Sequence, residues 1–341
     1  MAFDNTYTGP PTGSASGNRE QLLDMTTVLA PRQAPVYGLL PKQSATADLV
    51  EWTVDNLRTP TKDNAVAEGA NVGETNGDSF IGQFGSLTRL NNRLQHFRET
   101  FNVSKKQEVM DSVTPVRIQA AEEKAASQLL RDIETSICSD NVAVTGNGTT
   151  PGKFRGLGEW INDAPTADDV QAIPVAFRTK AEAILDAAGE ELTESRFNGM
   201  LTAIFEETGE QQDLVLVAGT QVRNSIIDGF TRVKTGATAS YSSGNNTTFN
   251  QGDGTEVNYN VEIFQGPFGI VKIVSANPKC LVDQKRAYLL DPSLLGYAEA
   301  LSIGSTMLED QGGGPRGYID AMGTLLVKGS NGLGKITDFA I

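Results

Sequence analysis

The stretch DLVEWTVDNLRTP, residues 48–60, begins as a strand and then gives way to a long polar segment. From Val50 to Val54 apolar residues alternate with polar ones, which is the period of a half-buried strand, and Pro60 ends the pattern. The segment that follows, TKDNAVAEGANVGETNGDSFIGQFGS, is polar and rich in glycine, and strand character returns only near Leu90. Connections longer than ~15 residues are usually functional or disordered. The sequence therefore predicts a long two-stranded ribbon over residues 48–104 with a glycine-rich tip.

The returning strand, SLTRLNNRLQHFRETFNVS at residues 86–104, changes its buried face along its length. Its apolar positions share one parity up to Leu94 and the other parity from Phe97 onward. This switch predicts a bulge or a sharp twist. The chain's one histidine, His96, lies at the switch, and we interpret it as a structural residue.

The strongest helix signal follows the ribbon. Thr114 is a suitable N-cap and Pro115 suits the first helical turn. An apolar stripe with spacings of three and four continues through Ile118, Ala121, Ala125, Leu129, Ile133 and Ile137. Charged residues, among them Glu134, occupy the other faces. The pattern predicts a helix over residues 114–139, ~37 Å long at 1.5 Å per residue.

The remaining segments predict a mixture of helices and strands. Residues 1–45 read as a polar arm, with prolines at positions 31, 35 and 41 keeping its second part extended. A second helical region is predicted from near Pro174. The helix that follows it is capped by Thr193 and ends at Gly209. The later strands are predicted in DLVLVAG, VNYNVEIFQ, GIVKIVSAN, CLVDQKRAYLLDPS, YIDAMGTLLVKGS and the C-terminal segment.

Composition excludes several classes of protein. The chain has 341 residues and a net charge of −14, which argues against a dedicated DNA-binding protein, since phosphate neutralisation needs clustered lysine and arginine. No apolar run approaches the ~20 residues of a membrane helix, and no signal peptide is present. The two cysteines, Cys138 and Cys280, make no disulfide framework. A cytosolic protein with reduced cysteines is the expectation.

The motifs offer little chemistry. Residues 329–335 of GSNGLGKI fit G-x-x-x-x-G-K, but Ile336 occupies the position where a phosphate-binding loop needs Ser or Thr. We interpret this segment as a turn between two strands. Adjacent carboxylates such as Glu122 and Glu123 point in different directions on a helix and do not form a catalytic pair. We therefore expect no enzymatic activity, no cofactor and no metal site.

Six stretches, taken in order, are informative together: PVYGLLPKQSATADLVEWTVDNL, RETFNVSKKQEVMDSV, ASQLLRDIETSI, PGKFRGL, LTESRFNGMLTAIFEETGEQ and the C-terminal GTLLVKGSNGLGKITDF. They resemble stretches of the major capsid proteins of tailed bacteriophages, which share the Johnson fold first defined on phage Hong Kong 97. The resemblance implies an α+β capsid fold. Its parts are an N-terminal arm (1–45), an extended loop (46–104), a peripheral domain with the spine helix (105–189), an axial domain (190–305) and C-terminal strands (306–341).

The resemblance implies a structural protein that assembles as hexamers and pentamers into an icosahedral phage head around double-stranded DNA. It also implies a portal, possible decoration proteins, no membrane, and assembly in the host bacterial cytoplasm. The short arm and Met1 suggest a separate scaffolding protein, and covalent cross-linking between subunits is not expected. The ribbon reaches a neighbouring subunit in this family, so its charged residues are the candidate intersubunit contacts: Arg58, Lys62, Glu68, Glu74, Asp78, Arg89 and Arg93. An encapsulin-type compartment shell is the main alternative, and an enzyme of unknown substrate is the third.

Overall fold

The computed structural model describes residues 34–57, 87–110, 117–186, 192–210, 212–235, 240–243, 263–281 and 283–337, together with residues 60, 62, 63, 65, 68 and 69. Its helices are α1 (Pro35–Leu39), α2 (Lys105–Val109), α3 (Ile118–Ile137), α4 (Leu157–Trp160), α5 (Glu194–Thr208) and α6 (Thr220–Thr231). Its strands are β1 (Lys42–Ser44), β2 (Leu49–Val54), β3 (Thr88–Arg93), β4 (Gln95–Asn102), β5 (Ile184–Asp186), β6 (Gln212–Ala218), β7 (Arg232–Thr235), β8 (Ser240–Ser243), β9 (Ile263–Gly266), β10 (Gly269–Ser275), β11 (Ala287–Leu290), β12 (Leu295–Leu308), β13 (Arg316–Val327) and β14 (Gly334–Thr337).

A four-stranded sheet with the order β1-β12-β13-β4 carries the long helix α3 on one face. Strand β1 runs parallel to β12, and the other neighbours are antiparallel. The apolar stripe of α3 packs against the sheet in a single core, in which Leu129, Ile133, Phe97, Ile319 and Leu325 are all buried. The predicted stripe is therefore confirmed from Ala125 to Ile137.

Helix α3 is shorter than the sequence predicted. It begins at Ile118 rather than near Thr114, because the Arg117 backbone is extended (φ −112°, ψ 162°). It ends at Ile137, so its 20 residues span ~30 Å at 1.5 Å per residue. Thr114 and Pro115 lie outside the described residues.

A second sheet of six strands has the order β5-β14-β11-β6-β10-β9. Helix α5 packs against it with its own apolar cluster, which includes Phe197, Met200, Leu201 and Ile204. The predicted caps of this helix are confirmed: the Thr193 hydroxyl accepts a hydrogen bond from the Arg196 N–H, and Gly209 adopts a left-handed φ of 70°. Strand β6 lies largely in the predicted stretch DLVLVAG, and β9 and β10, which fall largely in the next two predicted stretches, pair antiparallel.

Two local predictions are wrong, the first because tertiary contacts outweigh local propensity and the second because proline also suits the start of a helix. The alanine-containing segment after Pro174 forms two short 3-10 turns and then β5, which pairs in parallel with β14, instead of a helix. The segment from Pro35 is helical rather than extended. Proline suits the first position of a helix, since its missing N–H would have no partner there.

The predicted switch along the returning strand is confirmed, but the strand is two strands in two sheets. Strand β3 pairs with β2, whereas β4 pairs with β13. Leu94 separates them, and its N–H donates to the Asp48 carbonyl at 2.9 Å. The change of buried face therefore marks the place where the ribbon joins the body of the subunit.

Candidate assembly surface

The ribbon is an antiparallel pair of strands whose register runs from Leu49 opposite Arg93 to Val54 opposite Thr88. Its inner face is largely apolar, because Val54 and Leu90 are buried and Trp52, opposite Leu90, is half-buried. Its outer positions are polar and exposed at Glu51, Thr53 and Arg89. The alternation along residues 48–55 therefore directs one face of the ribbon onto its own subunit.

The base of the ribbon is held by buried polar contacts. The Trp52 indole N–H donates to the Val327 carbonyl at 3.0 Å. Asn92, with 0% exposure, donates from its amide nitrogen to the Leu325 carbonyl at 2.9 Å and to the Arg155 carbonyl at 3.3 Å. Its amide oxygen accepts from the Arg155 N–H at 2.8 Å. One side chain thus ties β3 to β13 and to the loop before α4, and this fixes the base of the ribbon on the body of the subunit.

A fully buried ion pair holds the loop that Asn92 contacts. The Arg155 guanidinium makes a bidentate contact with the Asp168 carboxylate, with distances of 2.7 Å from Nε and 2.5 Å from Nη2. Each of the two side chains is 1% exposed. The guanidinium also lies over the Trp160 ring, 4.8 Å from its centroid. Since planar bidentate geometry fixes both side chains, the loop that carries Arg155 is held rigidly below the ribbon.

The structure describes four of the seven predicted contact residues. Arg89 and Arg93 both lie on β3 and are paired within their own subunit, Arg89 with Glu51 at 3.8 Å and Arg93 with Asp48 at 2.9 Å. Lys62 and Glu68 are exposed. The other three, Arg58, Glu74 and Asp78, lie outside the described residues.

Two exposed leucines on the ribbon were missed by the sequence analysis, which considered only its charges. Leu57 is 93% exposed and Leu87 is 52% exposed, and they lie just beyond the last paired residues of β2 and β3. The available signal was an isolated leucine at each end of a polar, glycine-rich segment. Such residues expose apolar area just beyond the paired part of the ribbon.

Helix α1 is held on the body of the subunit by a buried carboxylate. Glu134, assigned from the sequence to a polar face of the helix, is 2% exposed and accepts hydrogen bonds from the backbone N–H groups of Val36 (2.9 Å) and Tyr37 (2.8 Å). Burial raises the pKa of Glu134, and these two bonds oppose that shift. A second contact joins Lys42, the Tyr37 hydroxyl and Glu299 at 2.7–2.9 Å.

Replacing Glu134 by glutamine is expected to lower the free energy of unfolding by about 1–3 kcal/mol, because an amide presents one oxygen to two N–H groups and carries no charge. Thermal unfolding of the purified subunit measures this, and tryptic cleavage after Lys42 is expected to accelerate. Glu123→Gln, an exposed position on the same helix, is the control and should leave both unchanged. Equal behaviour of the two variants would show that Glu134 does not hold the segment.

The possible chemical sites are occupied by structural contacts. Ser330–Gly332 form a 3-10 turn between β13 and β14, in agreement with the turn expected for GSNGLGKI. The Lys335 ammonium donates to the Gly158 carbonyl at 2.9 Å, and burial lowers its pKa. Both cysteines are free and buried, and burial raises the pKa of each thiol, which makes them poor nucleophiles.

Neither a metal site nor a membrane segment emerges from the part of the chain that the structure describes. No group of three or more His, Cys, Asp or Glu side chains is placed to hold a metal ion there. None of the helices among those same residues has the length and apolar character needed to cross a membrane. His96 is partly exposed on β4, with its Nε2 3.4 Å from an Asp320 carboxylate oxygen.

Solved structures from phages and from a GTA particle have a similar fold. The chain is 15% identical to the capsid protein of cyanophage A-1(L), with a TM-score of 0.63, over 95% of this chain and 98% of that one. Its identity to a structure from Gordonia phage Cozz is 11%, with a TM-score of 0.60 and full coverage of both chains. For the capsid of a native GTA particle the identity is 10% and the TM-score 0.59, over 98% and 99% of the two chains. A search of curated proteins returned no match.

The long helix under a four-stranded sheet, the six-stranded α/β unit and the two-stranded ribbon together define an α+β fold of the Hong Kong 97 type, the fold of the capsid structures to which the chain is similar. Within that class, the chain belongs to the family described as SU10 major capsid protein, which it matches over residues 6–340. It is a structural protein of an icosahedral phage shell, a component of the virion and not an enzyme.

Proposed function

We propose that the ribbon, defined here as β2, β3 and the intervening residues 55–87, is the clasp by which each subunit holds a neighbour in the shell. The observation that carries this proposal is the contrast between its two ends. Its base is fixed by Asn92 and Trp52, whereas Leu57 and Leu87 are exposed where it leaves the body. A rigid base with two exposed leucines just beyond the paired strands suits a segment whose partner lies on another subunit.

The charged residues of the ribbon set its register on the neighbour. The candidates are Arg58, Lys62, Glu68, Glu74, Asp78, Arg89 and Arg93. Mixed charge suits a partly polar partner surface, where complementarity selects the register more than it adds affinity. Each exposed ion pair contributes only ~0–1 kcal/mol, so wrongly placed subunits dissociate while many correct contacts together hold the shell.

The wider assembly follows the resemblance to tailed-phage capsid proteins. Subunits form hexamers and pentamers, aided by a separate scaffolding protein, and the shell receives a portal and, in some phages, decoration proteins. It encloses DNA without sequence-specific binding, consistent with a net charge of −14, and it assembles in the bacterial cytoplasm. We assign residues 1–45 to the arm, 46–104 to the extended loop, 105–189 to the peripheral domain, 190–305 to the axial domain and 306–341 to the returning strands.

Replacing residues 55–87 by Asn-Gly is expected to leave a folded subunit that no longer assembles. Val54 and Thr88 are directly paired, so a two-residue turn closes the hairpin without changing its register. The buried face of the ribbon, including Leu90 and Asn92, is retained. Circular dichroism and thermal unfolding report the fold, and sedimentation with scaffold present reports shells.

The double variant Leu57→Ser with Leu87→Ser is the matched variant, because it keeps the full ribbon length and removes only the two exposed leucine side chains. It is expected to fold normally and to reduce shell yield. Closed shells from the shortened variant would show that the ribbon is not the clasp. An unfolded shortened variant would place the ribbon tip in the core of its own subunit.

The encapsulin alternative differs in cargo rather than in fold. Membership of a phage capsid family favours the virion shell. Purified particles that contain a protein cargo and no DNA after infection would favour the alternative.

A further inference from the structure

The turn between Val144 and Lys153 carries an asparagine followed by a glycine, Asn147–Gly148. Val144 and Lys153 exchange two backbone hydrogen bonds, of 3.0 and 3.1 Å, which close the base of this turn. Near its tip the Asn147 N–H donates to the Thr150 carbonyl at 2.9 Å. Asn147, Gly148 and Thr150 are all exposed, so water reaches the tip.

Hydrogen bonds hold the side-chain oxygen of Asn147 and leave the next backbone nitrogen unbound. The Asn147 Oδ1 accepts from the backbone N–H groups of Thr149, at 2.8 Å, and Thr150, at 2.6 Å. The Gly148 N–H donates no hydrogen bond to any residue that the structure describes. Fixed backbone donors stabilise negative charge that develops on a carbonyl oxygen when its carbon is attacked. The turn therefore activates the Asn147 side-chain carbonyl and presents a nitrogen beside it.

Gly148 also permits the rotation that brings this nitrogen to the side chain. Apart from its two chain neighbours, no residue has an atom within 4 Å of the place where a Cβ of Gly148 would stand. Glycine adopts backbone angles that are closed to residues with a side chain. The approach of the Gly148 nitrogen to the Asn147 Cγ therefore meets no obstacle.

We propose that Asn147 is a site of spontaneous deamidation, a covalent modification in which water is the co-reactant. The Gly148 backbone nitrogen attacks the Asn147 Cγ and forms a new C–N bond. The Cγ–Nδ2 bond breaks, and the amide nitrogen leaves as ammonia with the proton that the Gly148 N–H gives up. Water then opens the five-membered succinimide at either carbonyl carbon and leaves aspartate or isoaspartate at position 147. Each event adds one negative charge, because a carboxyl group is ionised at neutral pH.

Two other Asn-Gly pairs lie in the described residues and lack this arrangement. Asn198–Gly199 is inside α5, where the Gly199 N–H belongs to the helical hydrogen-bond ladder and the buried Asn198 Oδ1 has no hydrogen-bond partner. Asn331–Gly332 is in the 3-10 turn after β13, where Gly332 is buried. Either segment would have to leave its regular structure to form a succinimide. A fourth pair, Asn76–Gly77, lies outside the described residues.

Peptide mapping of the purified, folded subunit tests the proposal, with the other two pairs as internal controls. The chain is aged at neutral pH, and its tryptic peptides are scored by mass for conversion of amide to acid and by enzymatic methylation for isoaspartate. We expect conversion at Asn147 to be at least about tenfold faster than at Asn198 or Asn331, because only the Asn147 Oδ1 meets two donors that stabilise the developing charge. In urea, where the turn and both controls are unfolded, the three rates are expected to converge.

Two variants at Thr149 isolate the effect of the donors. Thr149→Pro removes one of the two N–H groups that bind the Asn147 Oδ1, and we expect it to slow conversion about three- to tenfold. Thr149→Ala keeps that N–H and is expected to match the wild-type rate. Thermal unfolding reports whether both variants keep the fold.

Equal rates at Asn147, Asn198 and Asn331 in the folded chain would overturn the proposal. Conversion at Asn147 that is faster in urea than in the folded chain would overturn it as well, because the turn would then protect the residue. A Thr149→Pro chain that converts as fast as Thr149→Ala would refute the role of the donors. The reaction belongs to the single folded subunit, so none of these outcomes depends on whether the ribbon is the clasp of the shell.

Discussion

Replacing Asp168 by alanine is expected to lower the free energy of unfolding by about 3–5 kcal/mol, because it leaves the Arg155 guanidinium buried without its counter-charge. Both side chains are 1% exposed, so water cannot take the place of the carboxylate. The change also removes the acceptor for the Ala143 N–H, which donates to Asp168 at 3.2 Å. Urea unfolding of the purified, unassembled subunit measures the loss.

Two further variants separate charge burial from general damage. Arg155→Met with Asp168→Ala removes both charges and is expected to recover part of the stability. Glu207→Ala breaks the exposed pair of Lys180 and Glu207, whose side chains are 46% and 31% exposed, and should cost only ~0–1 kcal/mol. If Asp168→Ala costs no more than Glu207→Ala, the buried pair is not a determinant of stability.

Leu129→Asp is expected to destabilise the subunit by at least about 3 kcal/mol, because it removes a buried leucine and introduces a carboxylate without a partner. Leu129 is 1% exposed in the core between α3 and the four-stranded sheet. We expect a large loss of soluble protein, and a much lower melting temperature for what remains.

The matched control is Gln128→Asp, the exposed residue next to Leu129 on the same helix. It carries the same new side chain and the same helix propensity, so it isolates the effect of burial. A shared melting temperature for the two variants would mean that the assigned inner face of α3 is wrong.

Periodicity in the sequence identified the elements whose neighbours lie close along the chain. The stripe of α3, the caps of α5 and the alternation of β2 are local patterns, and each gave the correct element and buried face. The helix predicted from near Pro174 was wrong for the opposite reason, because pairing with β14, far along the chain, makes Ile184–Asp186 a strand. The 14-residue strand β12 was not predicted, because its exposed half has no consistent alternation of polar and apolar residues.

The features of the candidate surface also divide into those that the sequence predicted and those that contacts between distant segments decided. The sequence located the ribbon and its charges, and the order of its motifs indicated a capsid protein. It placed Glu134 on a polar face because carboxylates are seldom buried, whereas the fold brings the N–H groups of Val36 and Tyr37 to it across nearly a hundred residues.

By itself, then, the sequence determined the helix stripe and the ribbon, because these depend on spacing along the chain, and its resemblance to tailed-phage capsid proteins indicated the class of protein. The tertiary structure alone decided that Asn92 and the Arg155–Asp168 pair fix the base of the ribbon, and that β1 pairs with β12 at Tyr297–Glu299. Buried polar groups need partners whose positions are set only when distant segments meet, and a strand edge is open or covered according to which segment reaches it.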